Sequence, residues 1–124
     1  MRIGKTQARF AIIVGSFVVL IVLFASPVAV SADDTASAKA AYKTKCAICH
    51  APDGSGQTPA GKALKIPDLR SEEVQKKSDA DLAKMIADGK DNMPSFKENT
   101  TDEQIRALVA YIRELAAKKS APSK

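Results

Sequence analysis

The sequence predicts an all-α domain of three or four helices joined by long connections. Three observations carry this expectation. No stretch alternates apolar and polar residues in the manner of a strand. Apolar residues recur instead at helical spacing, most clearly at Ile105, Leu108, Val109, Ile112 and Leu115. Prolines and glycines gather in the interval from Ala51 to Pro67, which marks a long loop.

Taken in chain order, Asp33 to Ser37 reads as a polar leader. A first helix follows over Ala38 to Cys49, where Ala38, Tyr42, Cys46 and Cys49 share one face. Ordinary core packing is reason enough for Ala38 and Tyr42 to lie there. The loop over 51–67 has room for one helical turn near Gly61 to Leu64. Loops this long in a small domain are usually functional or wrapped around something. Ser71 caps a short helix that ends near Gln75. Ser78 caps another, which carries acids in its first turn, an apolar face of Leu82, Met85 and Ile86, and Gly89 as its terminator. Lys90 to Asn99 is a second loop. Thr100 and Glu103 stand in capping-box spacing at the head of the last helix.

The N-terminus differs in composition from the rest of the 124 residues. Arg2, Lys5 and Arg9 precede the uncharged apolar run from Phe10 to Ala25, and Val30-Ser31-Ala32 ends the segment with small residues. This pattern reads as a secretory signal peptide over 1–32, leaving a domain over 33–118 and a flexible tail over 119–124. The competing reading is a retained membrane anchor, since Phe10 to Val30 is long enough to span a bilayer. Either way the domain faces the periplasm or another oxidising, extracytoplasmic space.

Loss of residues 1–32 removes Arg2, Lys5 and Arg9 and lowers the net charge from +5 to +2. The basicity therefore belongs largely to the targeting segment. Nucleic-acid binding, which relies on a concentrated basic face with stacking aromatics, is not indicated. Beyond residue 32 only Tyr42, Phe96 and Tyr111 are aromatic, and there is no Trp. A domain so small is marginal without a staple, metal or cofactor, and a large flat cofactor would supply the missing apolar bulk.

Both cysteines and the only histidine fall within Cys46-Ala47-Ile48-Cys49-His50. A structural zinc site needs four ligands, and this segment offers three at most. A redox dithiol belongs after a strand in a βαβ unit. A disulfide here would close a very small ring and stabilise little. The C-x-x-C-H spacing instead fits covalent haem attachment. Two thiols three residues apart can add to the two vinyl groups on one porphyrin edge, which places His50 over one face of the iron. Export to an extracytoplasmic space agrees with that chemistry.

A sixth ligand must then be sought among the methionines. Met85, beside Ile86 on a helix, reads as a core filler. Met93 lies in the loop "DNMPSF", where Pro94 forbids continuing helix, and it suits approach from the opposite face. A His/Met pair raises the haem potential relative to two histidines and suits electron transfer.

"AAYKTKCAICHAPDGSG", "KIPDLR", "DNMPSF" and "LVAYIREL", in that order, resemble class I cytochrome c, over about residues 36 to 117. The resemblance implies a small cytochrome c-like fold wrapped around one covalently bound haem c. It makes Cys46 and Cys49 the thioether anchors and His50 and Met93 the axial iron ligands. Pro67 offers its carbonyl to the other ring nitrogen of His50, a bond that orients a metal-bound imidazole. Ala38 stands where the family usually has the glycine of a helix crossing, and Ala51 where glycine is common. The implied function is one-electron carriage in a respiratory or photosynthetic chain, with no catalytic residues and no enzymatic activity. The alternative is a haem enzyme or gas sensor with an open sixth coordination site. Partners are transient redox proteins (oxidase, reductase or photosynthetic complex) that dock on a monomer. A membrane is involved only if the N-terminal segment is retained. Lys43, Lys45, Lys62, Lys65 and Lys97 either rim the docking surface or are simply solvated.

Overall fold

The structure, a computed structural model, describes residues 32–121. The signal peptide expected over 1–32 lies outside the described residues but for Ala32, and the last three residues of the tail lie outside them too. Three helices are substantial: α1 (Ala32–Lys45), α5 (Asp79–Asp88) and α6 (Asp102–Ser120). Three are about a single turn each: α2 (Ala47–His50), α3 (Pro59–Ala63) and α4 (Glu72–Gln75). Among the described residues there is no strand, only an isolated antiparallel bridge between Lys90 and Met93. The all-α expectation holds.

The first helix departs from expectation at both ends. It begins at Ala32, so the supposed polar leader is helical. Asp33 and Asp34 sit in its first turn, where carboxylates favour the positive end of the helix dipole. It also breaks at Cys46, whose φ of −111° and ψ of −38° separate α1 from α2. The last helix is capped one residue later than the spacing suggested. The Thr101 hydroxyl accepts from Gln104 N at 3.2 Å, and Gln104 Oε1 accepts from Thr101 N at 3.0 Å. Thr100 is drawn inward instead, with its hydroxyl buried. Ser71 and Ser78 cap α4 and α5 as expected. The turn in the long loop starts earlier than Gly61, at Pro59, with Thr58 as its cap and proline at the first helical position. α6 runs to Ser120, past the expected domain boundary at 118.

α6 is the spine of the fold and packs against both α1 and α5. Its stripe of Ile105, Leu108, Val109, Tyr111, Ile112 and Leu115 is buried against Ala38 and Tyr42 of α1 and Leu82 and Ile86 of α5. Each buried Ile, Leu or Val among them stabilises the fold by about 1.5–3 kcal/mol. At the α1–α6 contact, the rings of Tyr42 and Tyr111 meet edge to face, 5.2 Å apart at 63°. Ala38 is 4% exposed, so the alanine in place of glycine is accommodated inside the core.

Two arginines tie down the connections. Arg113 of α6 donates to the carbonyls of Gln75 and Lys77 and to Asp79 Oδ1, at 2.9, 2.6 and 2.8 Å. One guanidinium thus fixes the whole link between α4 and α5. Arg70 bridges Asp68 and Asp53, each at 2.9 Å, which joins the loop after His50 to the stretch that contains Pro67.

Candidate functional site

The turn Ala47–His50 is built by its neighbours on every side. Backbone bonds from Cys46 N to Tyr42 O and from His50 N to Cys46 O, both 2.9 Å, carry α1 into α2 across the break. The last carbonyls of a helix have no partner within it. Here the long loop supplies the partners. Thr58 Oγ1 donates to Cys49 O at 3.1 Å, and Gly56 N donates to His50 O at 2.8 Å. Ala51 O accepts from Tyr42 Oη at 2.9 Å and from Gly54 N at 3.1 Å. The loop is rich in glycine because it must come this close. A Cβ on Gly61 would run into the carbonyl oxygens of Cys49 and Gly56, and one on Gly56 would stand 2.9 Å from Ile66 O.

Cys46, His50, Pro67 and Met93 all line one cleft of about 260 Å³. Its walls are apolar, with Tyr42 contributed by α1, Leu69 by the loop before α4, Val74 by α4, Leu82 and Ile86 by α5, and Leu108 and Ile112 by α6. Cys49 is half-buried but lies outside this lining. Nδ1 of His50 is buried and has no hydrogen-bond partner. The bond to the Pro67 carbonyl is not made in this arrangement, although both residues face the same cleft. Burial lowers the basicity of the imidazole, which keeps the ring neutral and its lone pair available to a metal. Burial likewise pushes the Cys46 thiol up to about 11, as suits a protonated thiol in an apolar wall.

Met93 is held by its backbone. Its N–H donates to Lys90 O at 2.8 Å, and its carbonyl accepts from Lys90 N at 3.1 Å, closing a tight turn in which Asp91 has φ 51°. The residues beyond fold back on the end of α5. Ser95 Oγ donates to Ala87 O at 2.6 Å, and Phe96 N donates to Ile86 O and Ala87 O, both at 3.2 Å. Met85 is not the core filler that its helical position suggested. It lies outside the buried core, half-buried, and lines the same cleft as Met93. It stands at the edge of the apolar face of α5, where the core ends and the cleft begins.

Of the five lysines read as either a docking rim or simply solvated, only Lys65 lines the cleft, where Lys77 and Lys90 join it. Lys45 donates to the carbonyl of Asn99 at 3.3 Å, and Lys43, Lys62 and Lys97 lie elsewhere. The sequence reading missed Lys77 and Lys90. It also missed the residues that hold the turn: Thr58, Gly56, Gly61 and the Tyr42 hydroxyl. Thr58 followed by Pro59 was a readable cap signal, whereas the glycine contacts become visible only in three dimensions.

Among the described residues, no group of three or more His, Cys, Asp or Glu side chains could hold a metal ion alone. A buried unpartnered imidazole nitrogen, a thiol, two thioethers and apolar walls are donors suited to a haem, whose axial positions take His and Met and whose ring needs an apolar enclosure. The residues present fit that group.

Comparison with known proteins points the same way. The family described as cytochrome C oxidase, cbb3-type, subunit III, matches residues 33–112. A cytochrome c6 of Thermostichus vulcanus is 36% identical over 102 residues, covering 81% of this chain and 88% of its own. One from Leptolyngbya boryana is 32% identical over 85 residues, covering 68% of this chain and 96% of its own. One from Synechococcus elongatus is 34% identical over 85 residues, covering 68% and 94%.

Proposed function

This chain belongs to the cytochrome c family, as a small class I c-type cytochrome with one covalently bound haem c and its iron, and we propose that it carries electrons using Cys46, Cys49, His50 and Met93. Cys46 and Cys49 are the thioether anchors, and His50 and Met93 the axial ligands. Bound there, the haem iron supplies a one-electron couple. The protein holds both ligands in fixed positions and keeps water from the iron with its apolar walls. His50 is fixed through the bond from Gly56 to its carbonyl, and Met93 through its paired bonds with Lys90. Pro67 faces the same cleft as His50, and its carbonyl is the acceptor for Nδ1 once the ring is ligated.

The observation that carries this reading is the backbone-pinned Met93 in the cleft that also holds His50. The test compares Met93→Ala with Met85→Ala in the haem-loaded protein. Loss of the weak red iron–sulfur absorption band in the first variant alone supports it. An unchanged spectrum in the Met93 variant overturns the assignment. Absence of the band from the unmutated protein would favour a sixth position left open, as in a haem enzyme or gas sensor.

The wider reading follows from the sequence. Residues 1–32 are a cleaved signal peptide, 33–118 the cytochrome domain and 119–124 its tail, and the protein works as a monomer in the periplasm or another extracytoplasmic space. Among the described residues no helix is long and apolar enough to cross a membrane. Transient redox partners of a respiratory or photosynthetic chain, an oxidase, reductase or photosynthetic complex, dock at the cleft mouth, where Lys65, Lys77 and Lys90 are offset by Glu73 and Asp91. The mass of the protein recovered from its own compartment tests signal cleavage and haem addition together.

A further inference from the structure

Ala51, the residue directly after His50, has φ 64° and ψ 157°. That region of backbone space is open to glycine and costly for any residue with a Cβ. A conformation of this kind persists only where the surroundings enforce it. Ala51 N donates to Ala47 O at 2.9 Å, which completes the turn, and Gly54 N donates to Ala51 O at 3.1 Å. Both bonds are local and would move with the loop. Among the described residues, the one bond that ties Ala51 to a different element comes from the hydroxyl of Tyr42 on α1, at 2.9 Å. Tyr42 is the most deeply buried large side chain among the described residues, at 2% exposure, and its ring is locked edge to face against Tyr111. Burial holds the phenol protonated, so it remains a donor.

We infer that the Tyr42 hydroxyl is a positioning group for His50: it holds Ala51 in its strained conformation and thereby sets the direction in which the preceding imidazole enters the cleft. The ring of Tyr42 belongs to the core, where phenylalanine would pack equally well. The hydroxyl belongs to the site. Nδ1 of His50 has no hydrogen bond in this structure, so the direction from which the ring enters the cleft is set by the backbone on either side of it, before any bond to the Pro67 carbonyl forms. On one side that backbone is the turn fastened at Cys46, and on the other it is Ala51. The inference rests on His50 being the axial ligand, but its first readout does not.

The experiment uses the haem-loaded protein with Tyr42→Phe, Ala51→Gly and the two together. Amide exchange is followed at Gly56, whose N–H bonds the His50 carbonyl, and at Met93 as a distant reference. Tyr42→Phe should speed exchange at Gly56 at least tenfold, leave Met93 unchanged and shift the reduction potential. Adding Ala51→Gly should restore both, because glycine adopts the conformation without being held. Ala51→Gly alone should raise the thermal midpoint. Uniformly faster exchange at both amides, with no recovery in the double variant, would make Tyr42 merely structural and overturn the inference. So would a Tyr42→Phe variant indistinguishable from the parent, or a lowered midpoint on Ala51→Gly. Localised, rescued exchange at Gly56 with no change in potential would retain the clamp on Ala51 and overturn its role in aiming the ligand.

Discussion

Gly89 and Met93 lie so close that no side chain fits between them: a Cβ on Gly89 would stand 2.5 Å from the Met93 carbonyl oxygen and 2.8 Å from Ser95 N. Gly89 also has φ 77°, so alanine there is strained in its backbone as well as crowded. Gly89→Ala should therefore push the Met93 turn away from α5. The expected loss is about 1–3 kcal/mol of stability, with a weaker red iron–sulfur band. Denaturant titration and absorption spectroscopy check it, and a variant normal in both would mean that the turn is not held at this contact.

Gly61 does for the cysteines what Gly89 does for the methionine. Its Cα faces the carbonyls of Cys49 and Gly56 with no space for a methyl group. Gly61→Ala should lift α3 off the turn that carries both thiols and lower stability by about 1–3 kcal/mol. The fraction of chain recovered with haem attached should fall with it. Ala63→Ser, on an exposed position of the same turn, is the control and should load normally. Equal loading of the two variants, read by intact mass, would show that the close approach is unimportant.

Arg113 reaches two carbonyls, the Gln75 side chain and Asp79 with one planar group. Lysine keeps the charge but not the fork, and cannot serve all four acceptors at once. Arg113→Lys should cost about 1–2 kcal/mol, a fall of roughly 5–10 °C in thermal midpoint for a domain of this size. The red band should be untouched, since Arg113 lies outside the lining of the cleft.

Acid stability should depend on the Asp68–Arg70 pair. Hydrogen bonds from Arg70 hold the Asp68 carboxyl down at about 2, and Lys119 reaches it at 3.4 Å. A carboxylate whose folded pKa is depressed stabilises the fold above its ordinary value near 4, and that contribution is lost as pH falls toward 2. Arg70→Gln should return Asp68 toward the ordinary range, which lowers stability at neutral pH and moves the midpoint of acid unfolding upward. Circular dichroism across an acid titration measures it. Coincident acid midpoints would exclude the pair as the source of acid resistance.

The outline of this fold was legible because its strongest signals are local. The stripe on α6, the serine caps of α4 and α5 and the C-x-x-C-H spacing each depend on residues a few positions apart. What escaped was decided by contacts between distant segments. Two adjacent threonines, Thr100 and Thr101, offer equally good caps, and only the packing of α6 selects the second. Cys46 breaks the first helix at a point with no proline or glycine to announce it, where the bonds from Thr58, Gly56 and Tyr42 draw the next turn into place. Met85 falls between Leu82 and Ile86 in the helical period, and whether such an edge position meets core or cleft depends on what stands opposite. Lys77 and Lys90 reach the site because the chain folds back over it, which spacing along the sequence does not encode.

The packing of α1 against α6 inverts the usual geography of tolerance. In most domains the ends fray harmlessly, and the interior of the chain must stay whole. Here the first and last described helices are each other's partners, so the domain is a loop closed by α1 and α6. Trimming into α1 or α6 should unlatch the whole, whereas a single cut in the exposed stretch around Glu98 should leave two pieces still clasped through Tyr42 and Tyr111. Such a molecule is fragile where others are forgiving. It should instead withstand scission in the very loop that carries one of its proposed iron ligands.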